Sequence, residues 1–168
     1  QVSEDAMVIR TDLDAKARGG ARTSRFALAD VGPGTMPHEE KPIPREEMWR
    51  NLERFLEAVL PIAEKAGVKM AMHPDDPPLP EFQGKARIMN SVENFERLVR
   101  LVPSERNGIC FCQGTFAALG MDIPATIRRL GPHIRYVHFR DVRGPGPERF
   151  VETFHDNRSE ERRVGKEC

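Results

Sequence analysis

The sequence has little of what would place it in several large classes of protein. Its 26 basic and 26 acidic side chains cancel to a formal net charge of zero, so there is no basic surplus for nucleic acid and no polybasic stripe for a membrane surface. No apolar run approaches the roughly 20 residues that a membrane-spanning helix needs, and no signal-peptide pattern opens the chain. Three cysteines do not make a disulfide framework, which favours a reducing compartment, the cytoplasm.

The 168 residues are enough for one ordinary domain with a core. Glycines and prolines interrupt the first 45 residues, which predicts an irregular, loop-rich start with one short strand over 6–10. From Arg45 the apolar residues recur at steps of three and four, the spacing of an amphipathic helix. Gly67 is placed to end this helix, and Pro61 within it predicts a kink or an early end.

Beyond Gly67, predicted strands and helices alternate. Strands are predicted over 68–73, 108–112, 134–139 and 150–154. One helix is predicted to begin at Asn90, with Glu93 three residues on, and another to be capped by Asp122. Strand–helix–strand alternation is typical of a parallel sheet with helices outside it. The sequence therefore predicts an α/β fold.

Three side chains of metal-ligand type fall at or beside the ends of successive predicted strands: His73, Cys112 and His138. The carboxyl ends of parallel strands open on the same rim of a sheet, so these side chains should lie close together. Two imidazoles and a thiolate suit a divalent transition metal, and the thiolate argues against Mg²⁺ or Ca²⁺. Taken singly, each residue is better explained as a strand-end histidine or a small buried thiol. Their joint placement favours a metal site.

The remaining histidines and one further cysteine are given no chemical role. His38 and His133 lie in predicted loops, so we expect them at the surface. Cys110 shares the strand face of Cys112 but lies one repeat deeper, so we expect it to pack in the core.

Five short segments follow one another along the chain: IRTDLD at 9–14, HPDDPP at 73–78, FCQGT at 111–115, HFRDVRG at 138–144 and FVETFHD at 150–156. Together they resemble the successive signatures of the mannonate dehydratase family, lyases of hexuronate breakdown. The resemblance implies a metal-dependent (β/α)₈ TIM barrel of the xylose-isomerase type, which at about 250 residues would be roughly half present here. It implies Fe²⁺ or Mn²⁺ held by His73, Cys112 and His138, and dehydration of D-mannonate to 2-keto-3-deoxy-D-gluconate.

Under this resemblance, side chains near the same strand ends are candidates for binding the sugar acid. Arg10 or Arg140 could hold the carboxylate, although either could equally be a surface arginine. Asp75 and Asp76 could bind hydroxyl groups, tie back the neighbouring ligand histidine, or only cap the turn. Gly114 could let the backbone approach the ligand closely.

The sequence also departs from the family it resembles. There, a fourth metal ligand and a histidine implicated in proton transfer belong to an Arg-Pro-Asp-His motif, which these 168 residues lack. Residues 158–168 have no apolar stripe and resemble an adapter sequence translated in frame. We therefore expect residues 1–157 to form one partial-barrel domain that is truncated at its C-terminus. We expect the chain to be an inactive fragment.

Two other functions stay open at this point. A sugar isomerase or epimerase of the same barrel superfamily would bind its metal through Glu and Asp, with no need for a thiolate. A non-functional fragment would expose half-barrel edges and aggregate. The expected partner is a small sugar acid, with neither nucleic acid nor a membrane, and a homo-oligomer of the full-length protein is compatible with the sequence.

Overall fold

The computed structural model describes residues 9–32 and 41–153. Its strands are β1 (Asp12–Lys16), β2 (Arg22–Ala27), β3 (Met70–Met72), β4 (Glu81–Phe82), β5 (Lys85–Ala86), β6 (Asn107–Cys112), β7 (Ile134–His138), β8 (Asp141–Gly146) and β9 (Arg149–Thr153). Its α-helices are α1 (Arg45–Ala66), α2 (Val92–Leu101), α3 (Gln113–Ala118) and α4 (Ile123–Leu130). His38, the segment 158–168 and most of the strand predicted over 6–10 lie outside the described residues.

A parallel sheet with the strand order β3-β6-β7 forms the centre of the fold. Every residue of β6, the middle strand, is buried. Helices α1, α2 and α4 contribute their apolar faces to the same core, whose fully buried side chains are Trp49, Leu56, Leu60, Phe95, Leu98, Ile109, Phe111, Phe116 and Leu130. Burying a side chain of this size contributes about 1.5–3 kcal/mol. The predicted α/β class is confirmed by this arrangement of helices and parallel strands.

A second sheet is antiparallel throughout and has the strand order β1-β2-β9-β8. It covers a smaller core built around Phe26, Phe82 and Phe150. The expectation of an irregular start was therefore wrong for 12–27, where β1 and β2 lie. The strand predicted over 150–154 exists as β9, but it pairs in this antiparallel sheet and does not continue the parallel one. Because β1 is largely exposed, it lacks the alternation of apolar residues that marks a strand.

Helix α1 runs through Pro61 without ending there, contrary to the expectation of an early end. Proline removes one backbone donor, and Pro61 lies on the exposed side of a long helix whose other face is held in the core. The helix ends at Gly67, whose φ of 69° is left-handed and strains any residue with a Cβ. None of the helices within the described ranges combines the length and apolar character needed to cross a membrane.

The N-termini of α2 and α4 are closed by side chains. Asp122 caps α4 as predicted and accepts a hydrogen bond from Ala125 N at 2.9 Å. For α2 the cap is Ser91, which accepts from Asn94 N, and not Asn90. The Asn90 amide instead donates to the carbonyls of Leu79 and Arg87 and so shapes the preceding loop. Both residue types make good caps, so only the path of the loop distinguishes them.

Asn107, the first residue of β6, links this central strand to the end of α2. Its buried Nδ2 donates to Leu98 O at 3.0 Å and to Val102 O at 3.1 Å, which satisfies carbonyls that the helix end would leave without a partner. We expect Asn107→Asp to lower the free energy of unfolding by roughly 3 kcal/mol, because it replaces a donor by a buried anion facing two acceptors.

The measurement is urea denaturation followed by the fluorescence of Trp49, the one tryptophan of the sequence. Asn51→Asp, the same change on the exposed face of α1, is the matched control and should alter the free energy by no more than about 0.5 kcal/mol. Equal midpoints for the two variants would contradict the role given to Asn107.

Candidate metal centre

The carboxyl ends of the three parallel strands bring three potential metal ligands together. His73 directly follows β3, while Cys112 and His138 are the last residues of β6 and β7 and are paired in register. One ligand atom from each side chain lies within 4.8 Å of the others. The convergence expected from the parallel arrangement is therefore present. Cys112 is fully buried, His73 is half-buried and His138 is exposed, so the cluster opens towards solvent on the β7 side.

The imidazole of His73 is oriented by the loop that follows it. Its Nδ1 lies 2.6 Å from the carbonyl oxygen of Pro74, and because a carbonyl can only accept, Nδ1 carries the proton. The other ring nitrogen, Nε2, then faces the cluster, where it lies 3.0 Å from Nδ1 of His138. A ligand histidine in metal sites is commonly fixed in this way, by donating its second nitrogen to a carbonyl.

Hydrogen bonds and charge favour the thiolate form of Cys112. Burial by itself would raise the pKa of its thiol, but the hydrogen bond from His73, the charge of Arg140 and the hydroxyl of Thr115 lower that pKa below its ordinary value. The opposite holds for Cys110, whose pKa burial raises to about 11. Since the thiolate is the form of cysteine that binds metal, Cys112 is the better candidate ligand of the two cysteines. Cys110 packs in the strand as predicted.

The two histidines respond differently to the same surroundings. Burial would lower the pKa of His73, but its hydrogen bond to Cys112, the thiolate charge and the Pro74 carbonyl raise it overall. For His138, burial and the positive charges of His73 and Arg140 all lower the pKa. His138 is therefore the imidazole that stays neutral more readily, which is the state a metal ion requires.

Four charged side chains form a network beside the cluster. Arg10 pairs with both oxygens of Asp76 at 3.0 Å and also with Glu152. Arg140 donates from Nη1 to Asp76 at 3.0 Å and from Nε to Glu152 at 3.1 Å. Its Nη2 lies 3.0 Å from Glu152 but is not aligned for a hydrogen bond. The network connects the segment before β1 with the loop after β3 and with β9.

The candidate substrate residues do not all lie in one environment. Asp75 accepts hydrogen bonds from Met89 N at 2.7 Å and from Arg87, so its carboxylate closes its own loop. A Cβ on Gly114 would come within 2.9 Å of Arg140 Nε, so this glycine gives room to that guanidinium. Arg10 is almost fully buried within the network, whereas a quarter of the Arg140 side chain is exposed. His133 lies half-buried in the short turn before β7.

Sequence reasoning missed two residues of this region. Thr115 donates its hydroxyl to Cys112 Sγ at 3.2 Å, and its position three residues after the cysteine could have suggested this contact. Glu152 joins the network from β9, far along the chain from its partner Arg10. Nothing local to either residue signals that pairing.

Fold and cluster together define an α/β protein with a candidate transition-metal centre at the carboxyl edge of a parallel sheet. The family model described as D-mannonate dehydratase (UxuA) matches residues 34–164. The chain belongs to this family.

Individual relatives agree with the family model. The mannonate dehydratase of Oceanobacillus iheyensis is 40% identical over 122 residues, which are 72% of this chain and 35% of that protein. The one from Shouchella clausii is 36% identical over 159 residues, 90% of this chain and 44% of its own length. The crystal structure of mannonate dehydratase from Streptococcus suis serotype 2 matches with a TM-score of 0.75 at 36% identity, covering 89% of this chain and 46% of that one. The chain thus spans about a third to a half of these relatives.

The pKa of Asp76 gives this region a defined response to acid. Burial would raise that pKa, but the hydrogen bonds and charges of Arg10 and Arg140 lower it overall. A carboxyl whose pKa is lowered on folding stabilises the folded state above its unfolded pKa of about 3.9, and this contribution is lost as pH falls through the lower folded-state value.

We therefore expect Asp76→Asn to cost about 3–5 kcal/mol at pH 7, since it leaves two buried cations undercompensated. The loss relative to the unchanged chain should shrink on acidification below pH 4. Urea denaturation at a series of pH values measures both effects. Asp14→Asn, which removes a charge from an exposed ion pair with Arg22, is the control and should unfold like the unchanged chain at every pH. A loss of unfolding free energy in Asp76→Asn that does not change with pH would refute the linkage.

Proposed function

We propose that this chain is part of a metal-dependent hydro-lyase that converts D-mannonate to 2-keto-3-deoxy-D-gluconate in cytoplasmic glucuronate catabolism. The observation that carries the proposal is the convergence of His73, Cys112 and His138 in a member of the D-mannonate dehydratase family. Relatives bearing the name mannonate dehydratase share 36–43% identity with the chain, which supports the same substrate class.

We further propose that the parallel strands are a sector of a (β/α)₈ barrel of the xylose-isomerase type. The support is the parallel order β3-β6-β7 with helices packed outside it and the similarity to the Streptococcus suis structure over 46% of that chain. Ligands at the carboxyl ends of strands are where barrel enzymes place their active sites. The antiparallel sheet would then lie beside the mouth of this sector and contribute Glu152 to it.

The donor set fits one of the two metals that the family resemblance implies better than the other. A thiolate and imidazoles suit Fe²⁺, whereas Mn²⁺ is more at home among oxygen ligands, so we propose Fe²⁺ as the better match and Mn²⁺ as the alternative. His73, Cys112 and His138 would hold the ion. When bound, it would supply a Lewis acid that stabilises negative charge developing on the substrate carboxylate.

The reaction removes the proton from C2 and the hydroxyl group from C3, which leave together as water, and the resulting enol becomes the 2-keto group. Positive side chains would hold the acid group while this charge develops. All five N–H groups of Arg10 already donate, to Ile9 O, Asp76 and Glu152. About a quarter of the Arg140 side chain is exposed, whereas Arg10 is almost fully buried. We therefore propose that Arg140 holds the carboxylate, that Gly114 gives this guanidinium room, and that Arg10 and Asp75 support the site.

Metal binding is tested on this chain directly, by titration calorimetry with Mn²⁺ and, without oxygen, with Fe²⁺. We expect Cys112→Ser and His138→Ala each to weaken metal binding by more than about 100-fold. Mutating residues that only hydrogen-bond a metal ligand already lowers metal affinity by about 10–100-fold. His133→Ala is the matched control and should bind as the unchanged chain does. Stoichiometric binding that survives Cys112→Ser would favour an isomerase-like or epimerase-like site over the dehydratase.

Activity is tested by incubating D-mannonate with the metal-loaded protein and measuring 2-keto-3-deoxy-D-gluconate, for this chain and for the full product of the gene that contains it. We expect product from the longer protein. Turnover by this chain should be about 10²–10⁴-fold lower, the usual cost of losing an acid–base group, because the Arg-Pro-Asp-His motif has no match here. A metal-loaded longer protein that forms no product would contradict the substrate assignment.

A further inference from the structure

The sulfur of Cys112 receives hydrogen bonds from two side chains that have no place in the ligand set. Thr115 donates from Oγ1 at 3.2 Å and Arg140 from Nη1 at 3.4 Å. Cys112 and Thr115 are both buried to about 1% exposure or less. A buried hydroxyl must find an acceptor, and that of Thr115 donates to the sulfur, a comparatively weak acceptor.

The backbone brings Thr115 to this position without strain. Strand β6 ends at Cys112 and α3 begins at the next residue, so Thr115 lies three residues on, one helical turn from the sulfur. The contact is therefore set by the strand-to-helix junction and does not depend on a flexible loop.

Arg140 is held against the sulfur from several sides. Asp76 and Glu152 accept from its Nη1 and Nε at 3.0 and 3.1 Å, and the absence of a Cβ at Gly114 lets the guanidinium lie 2.9 Å from where that atom would be. Asp76 is in turn held by both terminal nitrogens of Arg10. A side chain with this many partners has few alternative rotamers.

We propose that Thr115 and Arg140 are positioning residues that orient the Cys112 thiolate as a metal ligand, with Asp76 and Glu152 acting through Arg140. The proposal rests on the metal site of the proposed function. Hydrogen bonds to a ligand thiolate fix the direction of its lone pairs before the ion arrives and draw electron density from the sulfur. Removing one should weaken metal binding and make the remaining thiolate a stronger electron donor.

Co²⁺ is the probe, because its thiolate-to-metal charge-transfer absorption reports on the sulfur itself. We expect Thr115→Val to weaken Co²⁺ binding by about tenfold and to move the charge-transfer band to lower energy. Glu152→Gln should shift the band in the same direction by a smaller amount, since Arg140 keeps Asp76. A merely structural role would lower stability and leave the band where it is.

Matched controls separate these effects from loss of a hydroxyl or a charge elsewhere. Thr126→Val removes a buried hydroxyl that donates to Asp122 O at 2.7 Å on α4, and Glu148→Gln removes an exposed charge between β8 and β9; both should keep the affinity and the band of the unchanged chain. Thr115→Ser, which keeps the hydroxyl, should have the Co²⁺ affinity and the charge-transfer band of the unchanged chain. This variant tests the role of the hydroxyl if Thr115→Val does not fold.

The outcomes distinguish this proposal from the one on which it rests. A Thr115→Val chain with unchanged affinity and band would overturn the positioning role and leave the metal site intact, as would a Thr115→Ser chain that loses the band while folded. Failure of the unchanged chain to bind Co²⁺ would overturn both.

Discussion

A single buried carboxylate, that of Asp76, is the point on which the two sheets and the candidate metal centre depend. Moving an unpaired carboxylate out of water costs several kcal/mol, and its side chain is only 2% exposed. Arg10 and Arg140 offset this cost from opposite ends of the chain, at 3.0 Å each. Because Glu152 of β9 completes the network, the antiparallel sheet is joined to the loop that follows β3. Removing any one of the four side chains leaves the charges of the other three unbalanced.

The network also determines the electrostatics of the cluster. Burial alone would raise the pKa of the Cys112 thiol, but the positive charge of Arg140 helps to lower it. The pKa of His138 is lowered by burial and by the positive charges of His73 and Arg140. The result is a sulfur that ionises more readily and an imidazole that stays neutral more readily, at neighbouring strand ends and beside His73. These are the states in which a thiol and an imidazole bind a divalent cation, as the proposed function requires.

One edge of the parallel sheet has no neighbouring strand among the described residues. Within the described residues β7 pairs with β6 on one side, and it exposes Tyr136 and Val137, with Phe139 just beyond it, to between 52% and 60%. An edge strand with apolar exposure is ordinarily covered. In the proposed barrel, this is the side on which further parallel strands would pair. The chain covers only 30–48% of the length of its relatives, which agrees with that placement.

The sequence by itself determined the alternation of strands and helices after Arg45, the cap at Asp122, the end of α1 at Gly67 and the trio His73, Cys112 and His138. These are local signals, or follow from the rule that parallel strands share one carboxyl edge. Tertiary structure alone decided that β1, β2, β8 and β9 form an antiparallel sheet and that Ser91 caps α2. It also decided that Thr115 and Arg140 contact the sulfur and that Glu152 binds Arg140. An ion pair between residues as far apart as Arg10 and Glu152 leaves no periodicity or spacing in the sequence, because its energy arises only when folding removes both side chains from water.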